Sequence, residues 1–290
     1  SLDMSIEKLN KRILKTAYIS ILMLVVLLIA TLSSSAAYRP AVVGVNGLVT
    51  SANSLASQAG LDILKKGGNA IDAAVAVAST LHVVEFHASG LDGNGFATIF
   101  WAPDNKVYSL AGTGAVPYAA DFKQLTKEEL DIGYKAGCVP GLFGAYVQAL
   151  QRFGTMSLKD VMESAIDYAD NGFPVTPVFH NNIANNKQNF ELFPTSGKVF
   201  LPNGEVPEIG EMFYMKDLAN TFKKLVAAEQ DALAQGKSRE EALQAAYDRF
   251  YTGDIAQEVV QFYQENGGFF TAEDLADYKP MWKEPLHTNY

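Results

Sequence analysis

The chain has 290 residues, of which 48% are hydrophobic and 19% charged, so one large or two ordinary domains fit and a disordered chain is excluded. A formal net charge of −9 argues against nucleic acid as a partner, since the phosphate backbone rewards clustered Lys and Arg, and it equally suits plain solubility. A single cysteine, Cys138, rules out an intrachain disulfide and a Cys-rich zinc site.

The N-terminus reads in three parts. "KLNKRILK" is basic, the stretch that follows from 16 to 38 is uncharged and apolar, and "SSSAAYRP" supplies small residues. That is the layout of a secretory signal with a cleavage site near Ala36 or Ala37, over 1–37. The same run is long enough to span a bilayer, so a retained membrane anchor through 16–38 stands beside cleavage. Either way the body from about 41 to 290 is expected to be exported, to the periplasm or the extracellular space, with the leading lysines and arginine left on the cytoplasmic side.

The body opens on "AVVGVNGLVTSAN", whose apolar alternation predicts a strand. A helix follows, capped by Asn53 or Ser54 and stopped at Gly67. A second helix starts at Asn69, whose side chain can accept from the Asp72 amide, while Asp72 favours the positive first turn. Its run of Ala and Val marks it as buried, with small side chains that admit another backbone.

"GFATIFWAP" and "KVYSLAGTGAVP" predict an antiparallel pair turning at Pro103, Asp104 and Asn105. "PGLFGAYVQALQRFG" is a helix entered through Pro140. "SLKDVMESAIDYADNGF" is another, capped by Ser157 and ended by Gly172. From Thr176 to about Gly210 the sequence reads as a polar, Asn-rich connection. Four more helices follow, in "MKDLANTFKKLVAAEQDAL", "SREEALQAAYDRFY", "GDIAQEVVQFYQENGG" and "TAEDLADY".

No complete reactive constellation emerges from these elements. "GLDGNG" at 90–95 is not G-x-G-x-x-G and does not open a helix, and no P-loop occurs, so a nucleotide site is unsupported. The bland reading is a tight connection where Gly supplies positive φ or close approach. "HVVEFH" brings His82, Glu85 and His87 together. On a strand Glu85 and His87 would share a face with His82 opposite, which is not the helical H-E-x-x-H of a zinc site. There is no G-x-S-x-G elbow. Glu128 and Glu129 read as a solvated helix face. No metal and no cofactor is implied, and the catalytic groups are expected on another segment.

The order of blocks is similar to the large subunit of the gamma-glutamyltranspeptidase family. The resemblance runs from about Val49 to Tyr290. It rests on the Gly67–Ala70 "GGNA" within "TSANSLASQAGLDILKKGGNAIDAAVAVASTLHVVEFHASGLDGNGFATIF", on "VPG" at 139–141, and on "RFGTMSLKDVMESAIDYADNGFPV", "DLANTFKKL", "FYTGDIAQEVV" and "GGFFTAEDLADY", in the family's order. It implies an α/β (α+β) fold, the four-layer αββα sandwich of the N-terminal-nucleophile hydrolases, of which this chain supplies the large-subunit part. The Gly67–Gly95 stretch is then scaffold, packing a buried helix onto the central sheets.

The resemblance also implies a precursor that cuts itself, so that a Thr at the new end of a small subunit becomes the nucleophile and carries its own base, the α-amine. The activity expected is a gamma-glutamyltransferase or glutathione hydrolase, moving a gamma-glutamyl group from a small molecule or peptide to water or an amino acid, with backbone N–H donors at the oxyanion. The partner is the small-subunit segment of the same precursor. No Thr-Thr-His run occurs before the final "EPLHTNY", so no catalytic residue is assigned in this chain, and alone it is expected to be inactive.

A second departure lies after the second strand. Where the family places Arg-Glu to bind the substrate α-carboxylate, this chain has Thr113 and Gly114. A hydroxyl cannot give the bidentate charged contact of a guanidinium. Two alternatives therefore remain: a related exported acylase of different acyl specificity, and a non-catalytic exported binding protein. Asp92 and Asn94, standing within the family's glycine run, are expected to be tolerated in a loop, since both enter the left-handed region more easily than most residues.

Overall fold

The computed structural model describes residues 11–25 and 41–288. The chain falls into two units, Ser1–Asn46 and Gly47–Tyr290. In the first, residues 11–25 form helix α1, exposed throughout. Among the described residues no helix is long and apolar enough to cross a membrane. The rest of the predicted 16–38 run, with the Ala36 and Ala37 cleavage positions, lies outside the described residues. The strand expected over 41–53 does not form. Val42, Val43 and Val45 are more than three-quarters exposed, and among the described residues no strand pairs with this stretch. A lone extended segment cannot satisfy its backbone groups on a neighbour.

The second unit opens with α2 (Ser54–Lys65) and α3 (Ala70–Val84). Asn53 caps α2, its Oδ1 accepting from the Leu55 amide at 2.9 Å. Gly67 ends the hairpin's first arm at φ +93°, a conformation open to Gly at no steric cost. Asn69 caps α3 as expected, and the Asp72 side chain accepts from the Asn69 amide in return, which completes a capping box. A Cβ at Gly60 would meet Val77 Cγ2 at 2.5 Å, so the two helices do approach as closely as the small residues allow.

β1 (Gly95–Trp101) and β2 (Lys106–Gly112) pair antiparallel in the register Gly95↔Gly112 to Trp101↔Lys106. Asn105 makes the predicted turn in the left-handed region, at φ 48°. α4 (Lys127–Asp131) carries Glu128 and Glu129 in its first turn, capped by Thr126. α5 (Leu142–Phe153) lies on one face of the sheet, where Ala145, Ala149 and Phe153 meet Ile99 and Leu110, together with Ile71 from α3.

α6 (Leu158–Asn171) is capped by Ser157 and closed by Gly172 at φ +91°, as expected. It is α6 and α2, more than the sheet, that receive α3. The expected packing of α3 on the sheet is made through Ile71, while α5 covers most of that face. The apolar surface of α3 is broad, burying residues on several faces, and so serves helices on two sides.

The predicted polar connection is also corrected. β3 (Phe173–Pro174) pairs with β4 (Met212–Phe213), and between them stand α7 (Pro177–Asn185), α8 (Lys187–Leu192) and α9 (Pro194–Phe200). Phe179, Phe190, Phe200 and Phe213 pack with Phe86 and Phe173, at centroid distances of 4.2–6.3 Å. These rings supply the apolar burial that short helices lack by themselves.

α10 (Lys216–Ala234) lies against α6, α11 (Arg239–Tyr251) against α10 and α5, then α12 (Asp254–Glu265) and α13 (Ala272–Asp277) complete the helical layer. β5 (Met281–Lys283) returns to pair with β2, giving the order β1-β2-β5. Arg152 of α5 stacks its guanidinium on Tyr108 and Trp282, 4.4 and 4.5 Å from the ring centroids. The other face of the sheet carries Phe96, Phe100 and Met281, which are 79%, 62% and 51% exposed.

Two buried carboxylates tie the helices together. Asp72, fully buried, accepts from the amides of Asn69, Thr155 and Met156 and from the Thr155 hydroxyl. Glu229 of α10 accepts from the amides of Leu158 and Lys159 at 2.6 and 3.1 Å, which are unpaired donors in the first turn of α6.

Candidate functional site

Three segments meet at one end of the sheet: the glycine cluster 90–95 before β1, the 113–118 loop after β2, and the turn 138–141 before α5. Backbone hydrogen bonds join them. The Gly93 carbonyl accepts from the Gly141 and Leu142 amides at 3.1 and 3.0 Å, and the Val139 amide donates to Ala115 O at 2.8 Å.

The glycines here serve proximity. Gly90, Gly93, Gly95, Gly112, Gly114 and Gly141 all avoid positive φ. A Cβ at Gly114 would overlap the Val139 carbonyl oxygen, and one at Gly141 would overlap the Gly112 carbonyl. Asp92 and Asn94 do not enter the left-handed region either. Asn94 has a different role: its Oδ1 accepts from the Gly114 amide and its Nδ2 donates to Cys138 Sγ at 3.3 Å. Sequence reasoning missed this, because only the fold brings positions 94, 114 and 138 together.

Of the residues singled out in the sequence, Thr113 is exposed at the start of the loop. Gly114 follows it with no room for a side chain and with its N–H already occupied by Asn94.

The site's far walls come from the last third of the chain. Tyr251, whose phenol burial raises and so keeps protonated, donates to Pro140 O at 2.9 Å and accepts from the Gly144 amide at 3.0 Å. Tyr278 donates to Gly141 O at 3.3 Å. Asp274 of α13 accepts from the Tyr118 amide at 2.7 Å, and Asp277 from the Tyr118 hydroxyl at 3.0 Å. A cavity of about 540 Å³ opens beside the turn, bounded by Cys138, Asp92, Phe250 and Tyr263 among others.

His82 lies at the floor of that cavity, on the last turn of α3 and not on a strand, so the sharing of faces expected for 82, 85 and 87 does not apply. Its ring is 1% exposed. The Tyr146 hydroxyl is 2.9 Å from Nε2 and the Ser89 hydroxyl 2.8 Å from Nδ1. Burial alone lowers the imidazole to about 3 and raises the Tyr146 phenol. The ring is therefore neutral. Among the described residues Tyr146 has no other acceptor for its proton, so it donates to Nε2, and Nδ1–H donates to Ser89. His87 Nε2 lies 3.9 Å from Glu85. Among the described residues no group of three His, Cys, Asp or Glu side chains is placed to hold a metal ion.

The family model described as gamma-glutamyltranspeptidase matches residues 56–290. A relative named glutathione hydrolase-like YwrD proenzyme, from Bacillus subtilis, is 36% identical over 255 residues, covering 86% of this chain and 45% of the relative. An acylase ACY 1 proenzyme from a Pseudomonas strain is 31% identical over 259 residues, covering 85% of this chain and 43% of the relative. Among solved structures, a gamma-glutamyltranspeptidase of Helicobacter pylori superposes with a TM-score of 0.78 at 28% identity, covering 87% of this chain and 69% of that one. The chain thus spans less than half the length of the two curated relatives.

Proposed function

Because the chain belongs to the gamma-glutamyltranspeptidase family and has the N-terminal-nucleophile hydrolase fold, we propose that it forms the large-subunit part of an exported amidohydrolase whose nucleophile lies on a companion segment of the same precursor. The reaction is acyl transfer. A Thr hydroxyl attacks the amide carbonyl carbon, its proton passing to the same residue's α-amine. The amine product leaves with a proton, and water or an acceptor amine then cleaves the ester. A gamma-glutamyl compound such as glutathione is the first substrate to try.

The observation that carries this reading is the sheet. One face is covered by α5, while the other presents Phe96, Phe100 and Met281 to solvent. An apolar sheet face of this kind calls for a second layer. A companion segment that supplies a second sheet satisfies it.

The test expresses the chain alone and joined to its downstream segment. The joined form should yield two fragments by mass spectrometry, which also reads any N-terminal export cut, and should hydrolyse glutathione. The lone chain should aggregate and show no turnover. Amide hydrolysis by the lone chain at an enzymatic rate would overturn the proposal.

A second reading, an acylase of different acyl specificity, draws on the loop itself. The side chains bonded to or packed against 113–118 include Asn94, Cys138, Asp274 and Asp277, and none of these is a cation. Thr113→Arg would supply a guanidinium for the α-carboxylate of a glutamyl substrate. In the joined form it should lower KM for glutathione about tenfold, or ~1.4 kcal/mol, with kcat little changed. An unchanged KM would mean that another residue already holds the carboxylate.

A further inference from the structure

We infer that Asn94 is a positioning residue: its side-chain amide locks the Thr113–Gly114 loop to the 138–141 turn and thereby sets where Thr113 meets substrate. The inference rests on the acyl-transfer reading above and adds to it a residue outside the loop.

The geometry is specific. One amide group bridges two segments that the chain separates widely, taking the Gly114 N–H on Oδ1 and giving an Nδ2–H to Cys138 Sγ. Gly114 is pressed against the turn, because the Val139 carbonyl and Cys138 Sγ fill the space where its Cβ would be. Among the described residues Thr113 makes no hydrogen bond, so the placement of its hydroxyl follows that of its neighbour Gly114. β2 ends at Gly112, and the next backbone bonds holding the loop are Ala115 O to the Val139 amide and the Tyr118 amide to Asp274. Asn94 is thus the tie closest to Thr113. An Asn can do this with one side chain because it both donates and accepts, whereas Asp keeps the acceptor alone and Ala keeps neither. A Gly at this position would leave the Gly114 N–H without that partner.

The test uses the complete, processed protein and three readouts. Asn94→Ala should speed amide exchange of the peptide containing Gly114 at least tenfold, since the protecting acceptor is gone. It should raise the alkylation rate of Cys138 by iodoacetamide severalfold, because Sγ loses its donor. It should raise KM for the amide substrate about tenfold while kcat changes less than twofold. Asn94→Asp, which keeps the acceptor for Gly114, should restore exchange protection and most of the KM. Unchanged exchange in Asn94→Ala would refute the clamp. Faster exchange with an unchanged KM would refute its role in placing Thr113. A wild-type protein without amide turnover would instead sink the functional reading, leaving exchange alone to decide on the clamp.

Discussion

Asp72→Ala should lower the unfolding free energy by about 4 kcal/mol. The carboxylate accepts from three backbone amides and one hydroxyl with no exposure to water. Alanine leaves those donors buried and unpaired, at a cost of roughly 1–3 kcal/mol for each amide that finds no water. Asp72→Asn keeps one acceptor oxygen and should cost about half as much. Urea denaturation of the processed protein, comparing the two variants at neutral pH, reads the difference. A loss below about 1 kcal/mol for Asp72→Ala would show that solvent or a neighbour replaces the carboxylate.

Acid should weaken the fold through His82. Its folded pKa is lowered to about 3 from an ordinary 6.5 by burial. The unfolded chain therefore takes up a proton below pH 6.5 that the native ring refuses until about pH 3. The contribution is fully present above pH 6.5 and falls by about 1.4 kcal/mol per pH unit below it, reaching about 2.7 kcal/mol lost at pH 4.5. His82→Gln removes the titration while retaining a donor and an acceptor for Ser89 and Tyr146. Its stability between pH 6 and 4 should be flatter than wild type by that slope. Parallel profiles would mean that the imidazole protonates without hindrance in the native state.

The parts of the fold that were legible in the sequence are those written in local chemistry. Asn69-Asp72, Ser157-Asp160, Ser238-Glu241 and Thr271-Asp274 all form capping boxes. Each needs only residues three apart, and so can be read without the fold. The β1–β2 hairpin was legible for the same reason. The 176–210 region was not, because α7, α8 and α9 are held by rings from distant positions such as Phe86 and Phe213, which leave no periodic signal within so short a window.

At the candidate site the sequence left two uses open for the glycines, positive φ or close approach, and the fold takes the second: carbonyls of other segments lie where a Cβ would be. Asn94 was legible as a departure from a glycine run, and its partners were not. Asp72 shows the same limit: its capping role was readable, its bonds to Thr155 and Met156 were not.

The clasp made by Tyr251, Tyr278 and Asp274 has a kinetic consequence. Their partners Pro140, Gly141 and Tyr118 lie 111, 137 and 156 residues earlier in the chain. During synthesis the loop bearing Thr113 must therefore wait, half-shaped, until the ribosome has delivered α13 and Tyr278. Closing spans of that length comes late and slowly. A nascent chain halted before residue 270 would carry every glycine of the site and still lack its form.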